Sequence, residues 1–407
     1  MSKLFSLGKL HVSDFVKDNE NPRSNPAELQ LILDASGVVR LDHIVDKNEM
    51  YGKYWYRSGT NDTMKKNLKD VVDSITSVKK LSEGDVWLDI ACNDGTLLSL
   101  VPSFMKKVGI DPADNSYVAE SSKVGEVVQD FFSEKAFSST SCGDRKCDVI
   151  TTIAMFYDLD DPVPFVNDVN KILSDDGIWV IQLSYTPLMI EQLAFDNICH
   201  EHVYYYSLFN LKRLFEANGF QIVDSQLNDV NGGSIRVFLM KSSANLSKFG
   251  TQPHRDVCSF RVKSLLAQEA NLNLDKVETW MEFYSKINEL RDTTVNFIKE
   301  AKNQGKKIWA YGASTKGNTL LQYFNLDNSL IDAIAERNPQ KFGLKTVGTN
   351  IPIKSEREMR DANPDYVLVL PWHFISEFID REENYIRSGG KFIVPCPKFE
   401  IISKESL

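Results

Sequence analysis

The sequence predicts an α/β protein built on two mainly parallel sheets, and three observations carry that expectation. Strand–loop–helix grammar occurs twice, beginning near Asp85 and near Lys307. Short apolar bursts follow each occurrence at the spacing of further strands, the pattern of a parallel sheet covered on both faces. A stretch without Gly or Pro and with helical apolar spacing separates the two regions, and it reads as long helix over 255–303.

In the first region residues 85–90 form a buried strand, Ala91 to Thr96 a loop, and 97–101 a helix start. Val108-Gly109-Ile110 is the next strand and ends at Asp111. Strands at 148–153 and 177–183 follow, with a helix at 165–173 between them, closed by Asp175-Asp176-Gly177. In the second region 307–311 is a strand, Gly312 to Thr319 a loop opening a helix, and 331–335, 366–370 and 391–394 are further strands. Trp87, Trp179, Trp309 and Tyr311 sit on strand patterns and belong to the core, whereas His11, His43 and His254 are assigned to the surface or to loops. The expected division is a small module at 1–60, the first α/β domain at 61–250, connecting helices at 251–300 and a smaller α/β domain at 301–407.

Composition narrows the function by exclusion. The 407 residues carry 47 Lys and Arg against 56 Asp and Glu, a net charge of −9, so sequence-independent nucleic-acid binding, which needs a basic face, is not expected. No apolar run is long enough to span a membrane, and the first ten residues lack the pattern of an export signal. The six Cys are scattered, with no CxxC pair, which reads as reduced thiols in a cytoplasmic protein rather than a disulfide scaffold or a four-Cys zinc site.

Three segments carry chemistry. The loop Asp89-Ile90-Ala91-Cys92-Asn93-Asp94-Gly95 lies where a strand end meets a helix N-terminus, the position at which doubly wound sheets bind ligands. It is not a GxGxxG, and its acids suit a cationic or hydroxyl-rich ligand rather than a pyrophosphate. Asp111 stands where a carboxylate accepts ribose hydroxyls, and Asp130 with Phe131 would add an acid and an aromatic wall for a purine. Together they fit S-adenosylmethionine better than a nicotinamide dinucleotide; Ala154, at the end of the 148–153 strand, completes the expected cofactor set. The densest cluster is Phe195-Asp196-Asn197-Ile198-Cys199-His200-Glu201-His202-Val203-Tyr204-Tyr205-Tyr206. Its His-Glu-His is a weak metal signal but a good general-base arrangement, because an imidazole titrates near neutrality; a satisfied His/Tyr-rich helix start accounts for it equally well. In the second domain Gly312-Ala313-Ser314-Thr315-Lys316-Gly317-Asn318-Thr319 offers amides, hydroxyls and one Lys at a helix N-terminus, an anion site without P-loop spacing.

The chain resembles the S-adenosylmethionine-dependent C-methyltransferases of nucleotide-activated keto-sugars. The motifs that carry the resemblance are Tyr54-x-Tyr56, Asn93-Asp94-Gly95-Thr96, Phe195-Asp196-x-Ile198-x-His200-Glu201-His202, Gly232-Gly233-Ser234-x-Arg236, the Gly312 to Leu321 run and Ile351-Pro352-Ile353. The resemblance implies a Rossmann-like class I methyltransferase domain, a second, smaller Rossmann-like domain and a short N-terminal lid. It implies His202, Glu201 and Tyr54 as catalytic residues. Asp89, Ala91, Asn93, Asp94, Asp111, Asp130, Phe131 and Ala154 become the cofactor-binding set. His200, Tyr56, Asn231, Arg236, Ser314, Thr315, Lys316 and Asn318 become the substrate-binding set, with a nucleotide-diphosphate sugar as substrate and the protein a monomer or homodimer. Family members bind zinc through paired Cys near the N-terminus; Leu33 and Ser36 stand where the second pair falls, so no zinc is expected. Asp158 and Asn231 likewise replace family His residues.

The competing readings are an O- or N-methyltransferase on a sugar nucleotide or other polar small molecule, a non-catalytic nucleotide-sugar-binding protein, and a nicotinamide-dependent oxidoreductase or epimerase. The absence of GxGxxG and of a Tyr-xxx-Lys pair counts against the last.

Overall fold

The computed structural model describes residues 1–46, 50 and 55–406. Its contacts divide the chain into two compact units, each discontinuous in sequence: Asp46–Pro187 with Tyr204–Asn273, and Met1–Val45 with Leu188–Val203 and Leu274–Leu407.

The first unit is a seven-stranded sheet in the order Phe220–Asn228, Ser234–Lys241, Leu173–Ser184, Cys147–Ile153, Val86–Ile90, Lys106–Ile110, Glu126–Val128. The five strands from Glu126–Val128 to Leu173–Ser184 pair in parallel; Ser234–Lys241 runs antiparallel to both its neighbours, so Phe220–Asn228 points the same way as the five. Numbered along the chain the order is 3-2-1-4-5-7-6, that of a class I methyltransferase fold. It reverses direction between Val86–Ile90 and Cys147–Ile153, which makes the carboxyl ends of those two strands the topological switch point. The central strand Val86–Ile90 is buried along its whole length, as expected for a strand covered on both faces. Its Trp87 packs in a core with Val71, Ile75, Val149, Ile178 and Phe238, where the indole donates to Thr151 Oγ1 at 3.1 Å. Helix Asp62–Val78 closes that core and begins on Asn61, whose side chain accepts the Met64 amide.

The second unit holds a six-stranded sheet in the order Ile353–Ser355, Ile334–Glu336, Ile308–Tyr311, Tyr366–Val369, Lys391–Val394, Glu400–Ile402. Five strands are parallel and the last is antiparallel, so this too is a Rossmann-like order, 3-2-1-4-5-6, with its switch point between Ile308–Tyr311 and Tyr366–Val369. The same unit contains an antiparallel ribbon of Ser2–Leu10, Ala27–Leu33 and Val39–Leu41. Phe5 stacks on Tyr284 of helix Val277–Asn303 with ring centroids 4.6 Å apart. Trp87, Trp179, Trp309 and Tyr311 are all buried, as their strand positions predict.

One element differs from expectation. The stretch read as continuous helix over 255–303 is two helices, Gln252–Glu269 and Val277–Asn303. Asn273 between them takes φ of +50°, a conformation Asn tolerates better than most residues. The Asn271-Leu272-Asn273-Leu274-Asp275 run was the available signal, since Asn and Asp bond their own backbone in turns. His254 also departs from expectation: it lies within the helix Gln252–Glu269 and is partly buried.

Candidate active site

At the switch point of the seven-stranded sheet, backbone and carboxylates converge. Ala91 and Asn93 follow one strand and Ala154 the neighbouring one, and all three take left-handed φ, at +60°, +51° and +56°. Non-Gly residues adopt that conformation only under constraint, and such constraint gathers at ligand sites. Asp89, 3% exposed, accepts from Thr151 Oγ1 at 2.7 Å. Asp111 accepts the Asn93 amide at 2.7 Å through one oxygen and the Ala113 amide at 2.8 Å through the other. Each oxygen keeps a second lone-pair direction for a hydroxyl donor. Burial raises both carboxyls, Asp89 to about 7 with the Asp111 charge adding to the effect and the Thr151 hydrogen bond opposing it.

This donor set fits S-adenosylmethionine: buried carboxylates at a strand-end loop suit a sulfonium, an ammonium and ribose hydroxyls, and would repel a pyrophosphate. Among the remaining expected cofactor residues, Asp130 is exposed and accepts the Phe131 amide at 2.7 Å, and Phe131 is exposed. Asp94 serves mainly as a fastener. Its two oxygens hold the Gly59 amide at 2.8 Å and the Thr96 hydroxyl at 2.6 Å. Asn93 accepts the Ser58 amide and donates to the Tyr56 carbonyl, each at 3.0 Å. Tyr56, grouped by resemblance with the substrate, is therefore tied to the strand-end loop.

Two further substrate candidates lie in this unit. Asn231 takes left-handed φ in the turn Val230–Gly232. Arg236, 1% exposed, bonds Gln182, Ser74 and Gln226 and pairs with Asp70 at 2.9 Å. One set of three His, Cys or acid side chains among the described residues has ligand atoms within 4.8 Å of one another: Asp224, His254 and Cys258. Arg261 already holds Asp224 at 2.5 Å, so a cation there would meet a paired carboxylate.

Burial of Asp89 predicts a pH effect on stability. A carboxyl whose native value lies above its unfolded value near 3.9 favours the fold below that pH, and the contribution is lost as pH rises through 7. Asp89→Asn removes that loss. In thermal melts of the ligand-free protein the variant is expected to exceed wild type at pH 8 by roughly 2–4 kcal/mol of stability, with the margin narrowing to about 1.5 kcal/mol at pH 5 and closing below about pH 4. Equal melting at pH 8 would contradict the assignment.

The second unit builds its own cluster at the carboxyl edge of the six-stranded sheet. The segment Leu188–Val203 is pinned there at several points. Phe195 stacks on Phe324 with centroids 5.2 Å apart and lies 5.5 Å from Tyr323, Asp196 accepts from the Trp372 indole at 3.1 Å, and the Cys396 thiol donates to the Leu193 carbonyl. Trp372 follows the strand Tyr366–Val369, and Phe324 closes the helix Thr315–Tyr323 that follows Ile308–Tyr311. The segment thus sits over the switch point of this sheet. Gly312 makes the close approach possible: its φ is +83°, and a Cβ would fall 2.6 Å from Pro371 Cγ.

His202 is 8% exposed, and its Nδ1 lies 2.8 Å from the Asn197 carbonyl oxygen. A carbonyl only accepts, so Nδ1 carries the hydrogen and Nε2 keeps its lone pair. Burial, and then the Lys316 charge, hold His202 down to about 3, so the imidazole is neutral across the physiological range. Glu201 is pushed up to about 7 by burial, against the pull of Arg23. His200, also buried, has Nε2 3.1 Å from the Ala27 carbonyl and belongs to the tie between the ribbon and this segment.

In the second-unit loop Ser314 caps the helix by accepting the Gly317 amide at 3.0 Å, and Asn318 donates to the Ser13 hydroxyl at 2.8 Å. Both are thereby committed within the protein, while Thr315 and Lys316 complete the turn. Lys316 acts electrostatically on Asp196, His202 and His373, which places it within this cluster. Tyr54 lies outside the described residues. Asp196, Trp372 and Thr151 are the participants to which sequence reading assigned no role, because a buried acid, indole or hydroxyl looks the same in a core and in a site.

Residues 61–225 match the family described as a methyltransferase domain, and residues 229–397 match the C-methyltransferase C-terminal domain. The chain is an S-adenosylmethionine-dependent methyltransferase with a C-methyltransferase C-terminal region. It is related to the C-methyltransferase NovU of Streptomyces niveus, with 28% identity over 370 residues that cover 91% of this chain and 86% of that protein. Among solved structures, an S-adenosylmethionine-dependent methyltransferase from Clostridium acetobutylicum is 12% identical, with a TM-score of 0.34, over 45% of this chain and 93% of that one. The magnesium protoporphyrin IX methyltransferase of Synechocystis is 11% identical, with a TM-score of 0.33, over 48% and 89%. No helix among the described residues is long and apolar enough to cross a membrane.

Proposed function

We propose that this enzyme methylates a carbon next to the ketone of a nucleotide-diphosphate keto-sugar. The observation that supports this most is the tautomer of His202. A carbon acceptor has no lone pair, so its α-proton must be removed first, and an imidazole whose Nδ1–H is spent on Asn197 presents Nε2 as the base. Glu201, adjacent in sequence and titrating near 7, takes up or relays the proton. The enolate oxygen that forms needs a donor aimed at it; the resemblance assigns the Tyr54 hydroxyl. S-adenosylmethionine, when bound, supplies an electrophilic methyl group. Asp89, Asn93, Asp111 and the loops at Ala91 and Ala154 would hold it, with Asp130 and Phe131 at the edge. Lys316 and Thr315 hold the acceptor's diphosphate, which contributes orientation.

Proton exchange tests the reading without methyl transfer. Thymidine-diphosphate 4-keto-6-deoxyglucose incubated with enzyme in deuterated water, with S-adenosylhomocysteine in place of the methyl donor, is expected to gain deuterium at the carbon α to the ketone. Methylation of this acceptor without such exchange would assign transfer to oxygen or nitrogen instead.

A further inference from the structure

Two buried polar atoms at the edge of the six-stranded sheet have no hydrogen-bond partner among the described residues, and they lie on adjoining pieces of chain. Asp196 is 1% exposed; its Oδ2 accepts from the Trp372 indole at 3.1 Å, and its Oδ1 has no well-formed hydrogen bond among the described residues. His373, the residue after Trp372, has a buried Nδ1 that is likewise unpartnered. Its ring is held by neighbours, with centroids 4.3 Å from Phe374 and 5.7 Å from Trp372. Buried polar groups in native proteins are nearly always paired, and each exception calls for a group, such as a water, an ion or a ligand, that completes it. Here the two orphans fall at the topological switch point, beside the segment that carries Glu201 and His202.

We propose that Asp196 and His373 form a recognition subsite for hydroxyl groups of the acceptor's sugar. The inference rests on the reading of the acceptor as a nucleotide sugar. The chemistry selects a hydroxyl over other groups. A carboxylate oxygen can only accept while Asp196 is ionised, so the ligand must donate. A cation is disfavoured because Lys316 already supplies positive charge to the same two residues. A further carboxylate or phosphate oxygen would face Asp196 with like charge. A hydroxyl satisfies both ends: it donates to Asp196 Oδ1, and its oxygen, or a neighbouring hydroxyl on the ring, meets His373 Nδ1. Trp372 holds the carboxylate in one orientation, so the subsite is pre-formed and discriminates by geometry. Neither residue takes part in proton abstraction; both fix which face of the sugar the base meets.

Calorimetric titration with two probes separates the possibilities. Thymidine diphosphate reports the nucleotide, and thymidine-diphosphate glucose adds the ring hydroxyls. Wild type is expected to bind the sugar nucleotide more tightly, and Asp196→Ala to lose about tenfold to a hundredfold of affinity for it with thymidine diphosphate unaffected. Asp196→Asn, which keeps an acceptor for Trp372, guards against a folding defect and is expected to lose a smaller part of that margin. His373→Gln should reduce the same margin independently. Equal losses for both probes, or no loss of the sugar margin in correctly folded variants, would overturn the subsite. If wild type binds neither probe, the nucleotide-sugar reading fails on its own. The subsite then stands only if free glucose shifts wild-type histidine resonances and leaves those of Asp196→Ala unmoved, and it falls if the two proteins respond alike.

Discussion

Replacing His202 by Gln is expected to lower kcat for methyl transfer by about 10²–10⁴-fold, the range general-base catalysis supplies, with little change in KM. Gln can still donate to the Asn197 carbonyl that His202 meets at 2.8 Å, so the segment keeps its anchor while the basic nitrogen is lost. The deuterium exchange described above should fall in parallel, because both depend on proton removal. The pH dependence carries a second signature. Burial and the Lys316 charge keep His202 neutral down to about 3, so wild type should show no break in kcat/KM at the ordinary histidine value. A limb near 7 belongs to Glu201, whose carboxyl burial pushes up to that value, and it should vanish in Glu201→Gln. Radiolabel transfer to thymidine-diphosphate 4-keto-6-deoxyglucose, with circular dichroism to verify folding, measures the effect. A loss of less than tenfold in a folded Gln variant would remove His202 from the chemistry.

Gly95→Val is expected to be the most damaging single change in the strand-end loop, at roughly 3–6 kcal/mol of stability. Gly95 precedes the helix Thr96–Leu100 with φ of +77°, a conformation that costs an L-residue about 1–2 kcal/mol and a β-branched one more. A Cβ there would also lie 2.7 Å from the Ser121 Cα and 2.9 Å from a Val124 methyl. The first is backbone and cannot rotate away, so overpacking adds about 1–3 kcal/mol or more. Chemical denaturation should show a lowered midpoint with unchanged slope. A variant as stable as wild type would mean that this loop adjusts more freely than its tight contacts imply.

What the sequence discloses about this molecule follows the range over which each signal acts. Strands such as Val86–Ile90 and Ile308–Tyr311 are legible because a fully covered strand must be apolar throughout, and the buried tryptophans follow from the same rule. Residue types at the strand-end loop are legible too: acids followed by Asn-Asp-Gly indicate the kind of ligand. Their partners are not. Asp94 faces Gly59 and Asn318 faces Ser13, and nothing local in those stretches announces the pairing. The break between Glu269 and Val277 lies in between, because its Asn-rich run is a local signal that an otherwise unbroken helical periodicity outweighs. The orphaned Asp196 Oδ1 could not be read at all, since an unpaired atom is defined by everything around it.

The passage of Leu188–Val203 out of one unit and into the other has a consequence for how such an enzyme can be inherited. The chain crosses between its two units four times, at Val45–Asp46, Pro187–Leu188, Val203–Tyr204 and Asn273–Leu274. Neither unit is therefore a contiguous stretch of coding sequence. A gene fragment for 274–407 alone would carry Phe324 and Trp372 without the Phe195 and Asp196 that cover them. Moving this unit onto a different partner unit would require its three segments, Met1–Val45, Leu188–Val203 and Leu274–Leu407, to travel together.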